Sequence, residues 1–593
     1  MLLLGVFHSY SDPSAALVHD GRVVAFVEEE RLSRVKHAKG AFPSRAIASV
    51  LETGGVSLGD IDAIAQAWDC PAYDSGAMAA HYDHINALYP ANPSDIAYQQ
   101  RHLAHLTSAH QESVIRQHLR QQFGEAAIPP IRFVKHHLAH ACMAYFHSGM
   151  DNVLVLTIDG SGELVLTIDG SGEAVSTAWW RGSGGRLELL HEVNIPHSLG
   201  WFYSAFTEYL GFQAYDGEYK LMGLAAYGQA NPVLREKLEK LIWYDGAGGF
   251  VSDPMRLSRG PRQYSYYYPD ALADYMEKPP RAWRDELTQW HMDLAYEVQR
   301  RLEILVAGMV QHWSEKTGLR QLAVAGGVGL NVKMNGHLFT SGLIDDLFVH
   351  PLCADPGVSI GAAMALEYLD HPNELAQLRQ KLRRVDFGPA YDDAAIEQVL
   401  KGCKLHYTYE PMIEARVADL LARGQVVGWF QGGVEGGPRA LGHRSILADP
   451  RSVASRDKVN SVIKFREFWR PFCPSMTPAG AERYLSRYTD APFMVLAFPC
   501  RDAAAREVPA IVHVDGSCRP QIVDAEQNPR YFRLLRAFDR LTGVPCLLNT
   551  SFNVKGEPIV CTPHDALRTF AATGLDALAL GSYLLVKPEV VAR

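Results

Sequence analysis

The chain has no C-x-x-C pair; its nine cysteines stand singly between Cys70 and Cys561. That excludes a thiolate zinc site, argues against a disulfide framework and favours a reducing cytoplasm. Apolar runs of membrane length are missing too. Met1 to Val6 has no basic residues ahead of it and is too short to span a bilayer, so it reads as a first strand, and no membrane is expected. Nor is there an excess of positive charge. With a net charge of -9, the surface as a whole would repel a nucleic-acid backbone, and no nucleic-acid partner is expected; one basic cleft remains compatible with that balance. What is present is an ordinary globular composition, 47% apolar and 21% charged over 593 residues. This is too long for a single core, and roughly two to four folding units are expected.

Leu2 to Val6 reads as a strand, His8 to Asp12 as a polar turn and Ala15 to Val18 as a second strand, with Asp20-Gly21 turning into Arg22–Val27. A helix is predicted over Ser44 to Thr53, stopped by Gly54-Gly55. The plan restarts near residue 153 with Val-Leu-Val-Leu-Thr-Ile-Asp-Gly-Ser-Gly, then Ala174–Trp180 and Leu187–Val193. Two such meanders predict a duplicated α/β unit with ligands at the carboxyl ends of its strands. The decapeptide LVLTIDGSGE occurs twice in tandem, at Leu154–Glu163 and Leu164–Glu173. Two copies do not make a solenoid, so one is surplus, and the sequence does not say which. A charged stretch with Pro372 and Gly388-Pro389 marks a boundary, giving domains at 1–370 and 385–593.

Three motifs carry chemistry. In His136-His137-Leu138-Ala139-His140, a helix would present His136 and His140 on one face, as a divalent metal requires. Among 24 histidines such spacing also arises by chance, but Asp159 or, alternatively, Asp169 at a strand end, and Asp355 before Pro356-Gly357, add harder ligands and tip the reading to metal. Gly326-Gly327-Val328-Gly329-Leu330-Asn331 follows the apolar run Leu322–Val324. It is neither a Walker loop nor G-x-G-x-x-G, and a packing turn explains it as well as a nucleotide contact does. Finally, Arg439 and Arg444 sit in a Gly-rich loop, followed by Lys464, Arg466 and Arg470, then Arg519 and the polar strand end Asn549–Asn553. Cations so mixed with aromatic residues read as a polyanion pocket, with surface ion pairs as the weaker alternative.

In this order, Glu28-Glu29-Glu30-Arg31 with Lys36-His37, HHLAHA, Lys220–Gly228, GGVGLN, GPRALGHRS, Lys464–Pro471, His513–Gly516 and Leu548–Asn553 resemble the O-carbamoyltransferase family of the nodulation-factor and cephamycin enzymes. The resemblance runs over nearly the whole chain. It implies an α/β protein: an actin-like (ASKHA, duplicated RNase H-like) N-terminal domain plus a YrdC-like C-terminal domain. It implies that the C-terminal domain converts carbamoyl phosphate and ATP, with Mg2+, to carbamoyl adenylate, using Arg439, Arg444, Lys464, Arg466, Arg470, Arg519, Asn549 and Ser551. In the N-terminal domain it implies Fe2+ on His136, His140, Asp159 (or Asp169) and Asp355, with Lys220, Gly326, Gly327 and Asn331 against the adenylate and Lys36 offsetting its charge. The acceptor would be a hydroxyl of a small-molecule natural product, as in antibiotic biosynthesis, and a homodimer is compatible with it.

One position departs from the family. Where relatives carry the general-base His before the Asp, this chain has Ser11-Asp12. His8 or Asp12 could serve instead, while a merely packed His8 stays open. The competing readings are an actin-like kinase, which has no use for the Arg-rich domain; a tRNA threonylcarbamoyl transferase, which predicts a basic surface; and a binding module without turnover. Tyr264–Pro269 is either an aromatic wall for the acceptor or a loop packed by its own tyrosines.

Overall fold

The computed structural model describes all residues except 9, 10, 125, 160–173, 378, 466, 468 and 589–593. It divides into two units: Met1–Glu29 with Ala38–Leu382, and Glu30–His37 with Arg383–Arg593.

The first unit uses one plan twice. β1 (Leu2–Phe7), β2 (Ser14–His19), β3 (Arg22–Glu28), β4 (Ala63–Gln66) and β5 (Ile131–Phe133) form a sheet ordered β3-β2-β1-β4-β5. The first three strands are antiparallel, and β1, β4 and β5 are parallel. The second half supplies β6 (Val153–Ile158), β7 (Val175–Ser183) and β8 (Arg186–Asn194), a separate hairpin of β9 (Ile242–Tyr244) and β10 (Phe250–Ser252), then β11 (Gln321–Ala325) and β12 (Asp346–Val349). Its sheet runs β8-β7-β6-β11-β12, with the same order and the same mix of directions. This repeated topology is the duplicated α/β unit that the two meanders predicted.

Local chemistry explains the elements. Asp20 (φ 47°) and Gly21 (φ 71°) are both left-handed, as a two-residue turn between antiparallel strands requires. The helix Ser44–Gly54 ends on Gly55 at φ 65°. β6 is buried at all six positions, because it lies between β7 and β11 with helix His136–Ser148 packed on it. That helix also packs against helix Val358–Asp370, which covers β1, β2 and β4. The approach is close: a Cβ at Gly361 would lie 2.5 Å from the Ala139 carbonyl oxygen. The strand slot of β6 is filled by the first copy of the tandem repeat. The second copy, including Asp169, lies outside the described residues.

The second unit is built on an eight-stranded mixed sheet. Its strands are β13 (Thr408–Tyr409), β14 (Val427–Phe430), β15 (Arg444–Ala448), β16 (Cys473–Met476), β19 (Gln521–Ile522), β20 (Cys546–Ser551), β21 (Ala577–Leu580) and β22 (Tyr583–Val586). They run β13-β22-β21-β14-β15-β20-β16-β19, and β17 (Phe498–Pro499) pairs with β18 (Ser517–Cys518) apart from them. The amphipathic helix Pro529–Thr542 packs on helix Ile413–Ala422. Both units are α/β, as expected. Lys36, which the sequence reading places in the N-terminal domain, lies in the segment grouped with the second unit. Among the described residues, no helix is long and apolar enough to cross a membrane.

Candidate functional site

In the first unit the carboxyl ends of β6, β11 and β12 bring three chain segments together. Asp159 follows the last residue of β6, Gly326-Gly327 follow β11, and Asp355 opens the turn Asp355–Gly357 after β12. His136 and His140 face them from the first turns of helix His136–Ser148. Their Nε2 atoms are 3.1 Å apart. His140 Nε2 lies 3.1 Å from Asp159 Oδ2, and His136 Nε2 lies 3.5 Å from both Asp159 Oδ2 and Asp355 Oδ1. One ligand atom from each of the four residues falls within 4.8 Å of every other.

These residues fit a metal ion. Donors sharing one cation at about 2.1 Å stand roughly 3.0–3.4 Å from each other, close to the separations found. Asp355 Oδ1 is buried, with no hydrogen bond accepted among the described residues, and it lies beside His136 Nε2 in the cluster. Two imidazoles with two carboxylates suit a borderline divalent ion better than a hard one. Burial works against charge on His136, but the carboxylates of Asp159 and Asp355 outweigh it and hold the imidazole well above its ordinary range. Burial likewise opposes the Asp159 carboxylate, which His136 and His140 hold well below its ordinary range. A cation would compete with protons for those same lone pairs. His137, the middle histidine, is used otherwise. It bonds Thr157 Oγ1 at 2.8 Å and the Val175 carbonyl at 3.0 Å, and burial lowers its pKa to about 3.

Gly326 is required at its position. Its φ is 91°, and a Cβ there would lie 2.2 Å from the Ile158 carbonyl oxygen, the peptide that leads into Asp159. Asn331 caps helix Val332–Ser341 through Met334 N and pairs with Gln299, so its amide serves the fold. Lys220 lies on helix Glu218–Leu224 with Nζ 5.9 Å from the Phe212 ring centre. Sequence reasoning missed Trp68, whose ring stacks on His136 at 5.4 Å and whose indole N–H donates to the His8 carbonyl at 3.2 Å. A lone Trp after a short strand carries no signal in sequence. His8 packs on Phe42 at 5.2 Å, and burial, then the neighbouring His118, lowers its pKa to about 4, leaving it neutral at pH 7. Asp12 sits at φ 55°, a strained backbone for a non-glycine residue. The tyrosine tract divides, with Tyr267 and Tyr268 buried and Tyr264 and Tyr266 exposed.

In the second unit the cations expected to form a polyanion pocket differ in how they are engaged. Arg444 is fully buried, stacks at 3.6 Å on the Phe430 ring and donates to the carbonyls of Gln431, Gly432, Pro389 and His443. Burial brings its pKa down to about 10. In these contacts it acts as a strut of the loop. The buried Glu435 carboxylate accepts from the amides of Leu441, His443 and Arg444 at 2.8, 2.7 and 3.2 Å. The loop thus closes on an anion of its own, a role unread in the sequence. Lys464 donates to the carbonyls of Ser551 and Asn553 at 2.5 and 3.0 Å, and to Asn553 Oδ1 at 2.8 Å. Arg519 points at Cys473 Sγ, 2.7 and 3.0 Å away, and Arg470 lies 3.3 Å from Glu467. Asn549 bonds Ser475 and the Ala440 carbonyl. Arg439 is half-buried in the same loop, and Arg466 lies outside the described residues.

A family model described as carbamoyltransferase N-terminus matches residues 2–364, and one described as carbamoyltransferase C-terminus matches residues 418–587. The chain belongs to the carbamoyltransferase family. It is an enzyme of that kind. This carbamoyltransferase is 35% identical to an uncharacterized protein of Synechocystis, covering 99% of this chain and 96% of that one. It is 38% identical to nodulation protein NolNO of Sinorhizobium fredii over 97% of this chain and 79% of that one. Among solved structures, (R)-2-hydroxyglutaryl-CoA dehydratase component A of Acidaminococcus fermentans aligns at 13% identity with a TM-score of 0.33, covering 61% of this chain and 96% of that one, a similarity too low to carry argument.

Proposed function

We propose that this carbamoyltransferase is ATP-dependent and works in two stages, divided between an N-terminal domain at 1–370 and a C-terminal domain at 385–593. In the C-terminal domain, water cleaves carbamoyl phosphate to carbamate and phosphate. A carbamate oxygen then attacks the α-phosphorus of Mg2+-bound ATP, forming carbamoyl adenylate and releasing pyrophosphate. In the N-terminal domain an acceptor hydroxyl attacks the carbamoyl carbon; its proton passes to a base, and AMP leaves. The carbamoyl group is a poor electrophile, and the mixed anhydride supplies the leaving group it lacks.

Arg439, with Lys464, Arg470 and Arg519, would hold the carbamoyl phosphate and the triphosphate. Arg444 and Glu435 would keep that loop in shape. In the N-terminal domain His136, His140, Asp159 and Asp355 would hold an iron-type divalent cation, whose chemistry is to offset negative charge on the departing adenylate. Gly326 and Gly327 let backbone approach the nucleotide, and Lys220 adds a cation. His8, neutral at pH 7, is the proposed base, with Asp12 beside it in the chain. The acceptor is a hydroxylated small-molecule natural product, and the exposed Tyr264 and Tyr266 are proposed to border it.

The observation that carries this reading is the convergence of two imidazoles and two carboxylates beside a glycine turn, in a chain matched by both carbamoyltransferase models. The test is incubation with carbamoyl phosphate, ATP and ferrous or magnesium ion, with phosphate and pyrophosphate assayed separately. Release of both, each requiring carbamoyl phosphate, is the expected result. Release of γ-phosphate alone, whether or not carbamoyl phosphate is present, would sink the proposal in favour of a kinase-like ATPase.

A further inference from the structure

After β3 the chain leaves the first unit, and Glu30–His37 is built into the second before Ala38 returns. Two arginines anchor this segment. Arg34 donates to the carbonyls of Ile559 and Pro558 at 2.5 and 2.8 Å and lies 3.3 Å from Asp565. Arg31, buried to 2% exposure, divides its guanidinium: Nη1 pairs with Glu30, and Nη2 donates to the Gly437 carbonyl at 2.7 Å. The Glu30 carboxylate also meets Lys36 at 3.3 Å and the His37 amide at 2.8 Å. Arg34 (φ 61°), His37 (φ 62°) and Ala38 (φ 41°) hold left-handed backbone. Such backbone persists in non-glycine residues only where the surroundings impose it, and it gathers at working parts of proteins.

Gly437 is two residues before Arg439 in the loop Glu435–Arg444. Glu435 holds the far half of that loop through the amides of Leu441, His443 and Arg444. The near half is held at Gly437 by an ionised donor in a buried setting, the kind of hydrogen bond that is costly to lose.

We propose that Arg31 is a positioning residue of the carbamoyl-phosphate site: by holding the Gly437 carbonyl it sets the course of the loop and aims Arg439, so that a residue from the N-terminal end of the chain shapes the C-terminal reaction. This rests on the reading that Arg439 grips carbamoyl phosphate. Lysine cannot replace Arg31, because a point charge serves Glu30 or Gly437 but does not fork to both.

The test compares full-length wild type, Arg31→Ala and Arg31→Lys in two ways. In carbamoyl-phosphate-dependent pyrophosphate release, Arg31→Ala should raise the half-saturating carbamoyl phosphate concentration by about tenfold or more, the loss expected for one charged hydrogen bond. Arg31→Lys should fall between the two, and millimolar guanidinium should restore part of the loss in Arg31→Ala. In hydrogen–deuterium exchange, the amides of 437–444 should exchange about tenfold faster in Arg31→Ala while those of the first unit keep their protection. If wild type forms no pyrophosphate, the functional reading has failed, and exchange alone decides on the positioning. A variant with wild-type stability, unchanged half-saturation and unchanged exchange over 437–444 overturns the proposal. Should Arg31→Ala not fold, Arg31→Lys gives the same readouts.

Discussion

At the carboxyl edge of the second sheet, ligand atoms from His136, His140, Asp159 and Asp355 face one another across gaps of 3.1–3.8 Å. Around β15 and β20, by contrast, Arg444, Lys464 and Arg519 direct their donors at carbonyls, an amide and a sulfur of their own unit. The first region gathers like-minded acceptors that only a proton or a cation can reconcile. The second gathers cations that the protein already engages. Metal-ligand spacing in this sequence therefore translates into a cluster of facing ligand atoms, whereas a count of arginines does not say which are structural.

The sharpest way to break this comparison is to remove one acceptor from the first region. Asp159→Ala should lower affinity for ferrous ion by more than about 100-fold, read by metal analysis after dialysis, and abolish carbamoyl transfer. Asp169→Ala should leave bound metal unchanged; equal loss in both would mean that the second repeat copy supplies the ligand. Next, Arg444→Ala should destabilise the second unit by about 3–5 kcal/mol in urea unfolding, because it strands carbonyls and the Glu435 charge in the interior. Arg439→Ala should change stability by less than about 0.5 kcal/mol yet lose pyrophosphate release. If the two variants behave alike, Arg444 is no strut. Gly326→Ala should cost about 1–3 kcal/mol in the same assay, since its Cβ meets backbone at Ile158.

The smallest effect concerns acid. Burial pushes the Glu435 carboxyl up, but His443, Arg444 and the Leu441 amide prevail and hold it below its ordinary value. Its stabilisation is therefore present above the unfolded carboxyl pKa, near 4.5, and is lost as pH falls through the lowered folded value. Glu435→Gln should lower stability at pH 7 and flatten the decline of stability on the acid side, as measured by thermal unfolding from pH 3 to 7.

Much of the fold was legible because its signals are local. The β1–β3 meander, the Asp20-Gly21 turn and the buried β6 follow from apolar runs and turn residues, and their recurrence announced the duplication. His136 and His140 were legible because helical spacing puts both on one face. What stayed hidden depends on contacts between distant segments. Trp68 reaches His136 across 68 positions of chain and Arg31 meets Gly437 from 406 residues away, while Glu435 uses backbone amides of its own loop, which side-chain patterns do not reveal. The bonds of Arg444 to carbonyls were not legible either, because a charge in a glycine-rich loop looks the same whether it faces a ligand or a carbonyl.

The placement of Glu30–His37 has a practical consequence for anyone recombining such enzymes. A cut after Leu382 would not release an intact C-terminal module, since the eight residues Glu30–His37, far upstream in the chain, would stay behind with the wrong partner. Chimeras that exchange C-terminal modules between relatives should carry the donor's version of this segment along, spliced in between β3 and helix Ser44–Gly54. The two parts are thereby tied at this seam, where Arg31 and Arg34 hold backbone carbonyls of the C-terminal stretch.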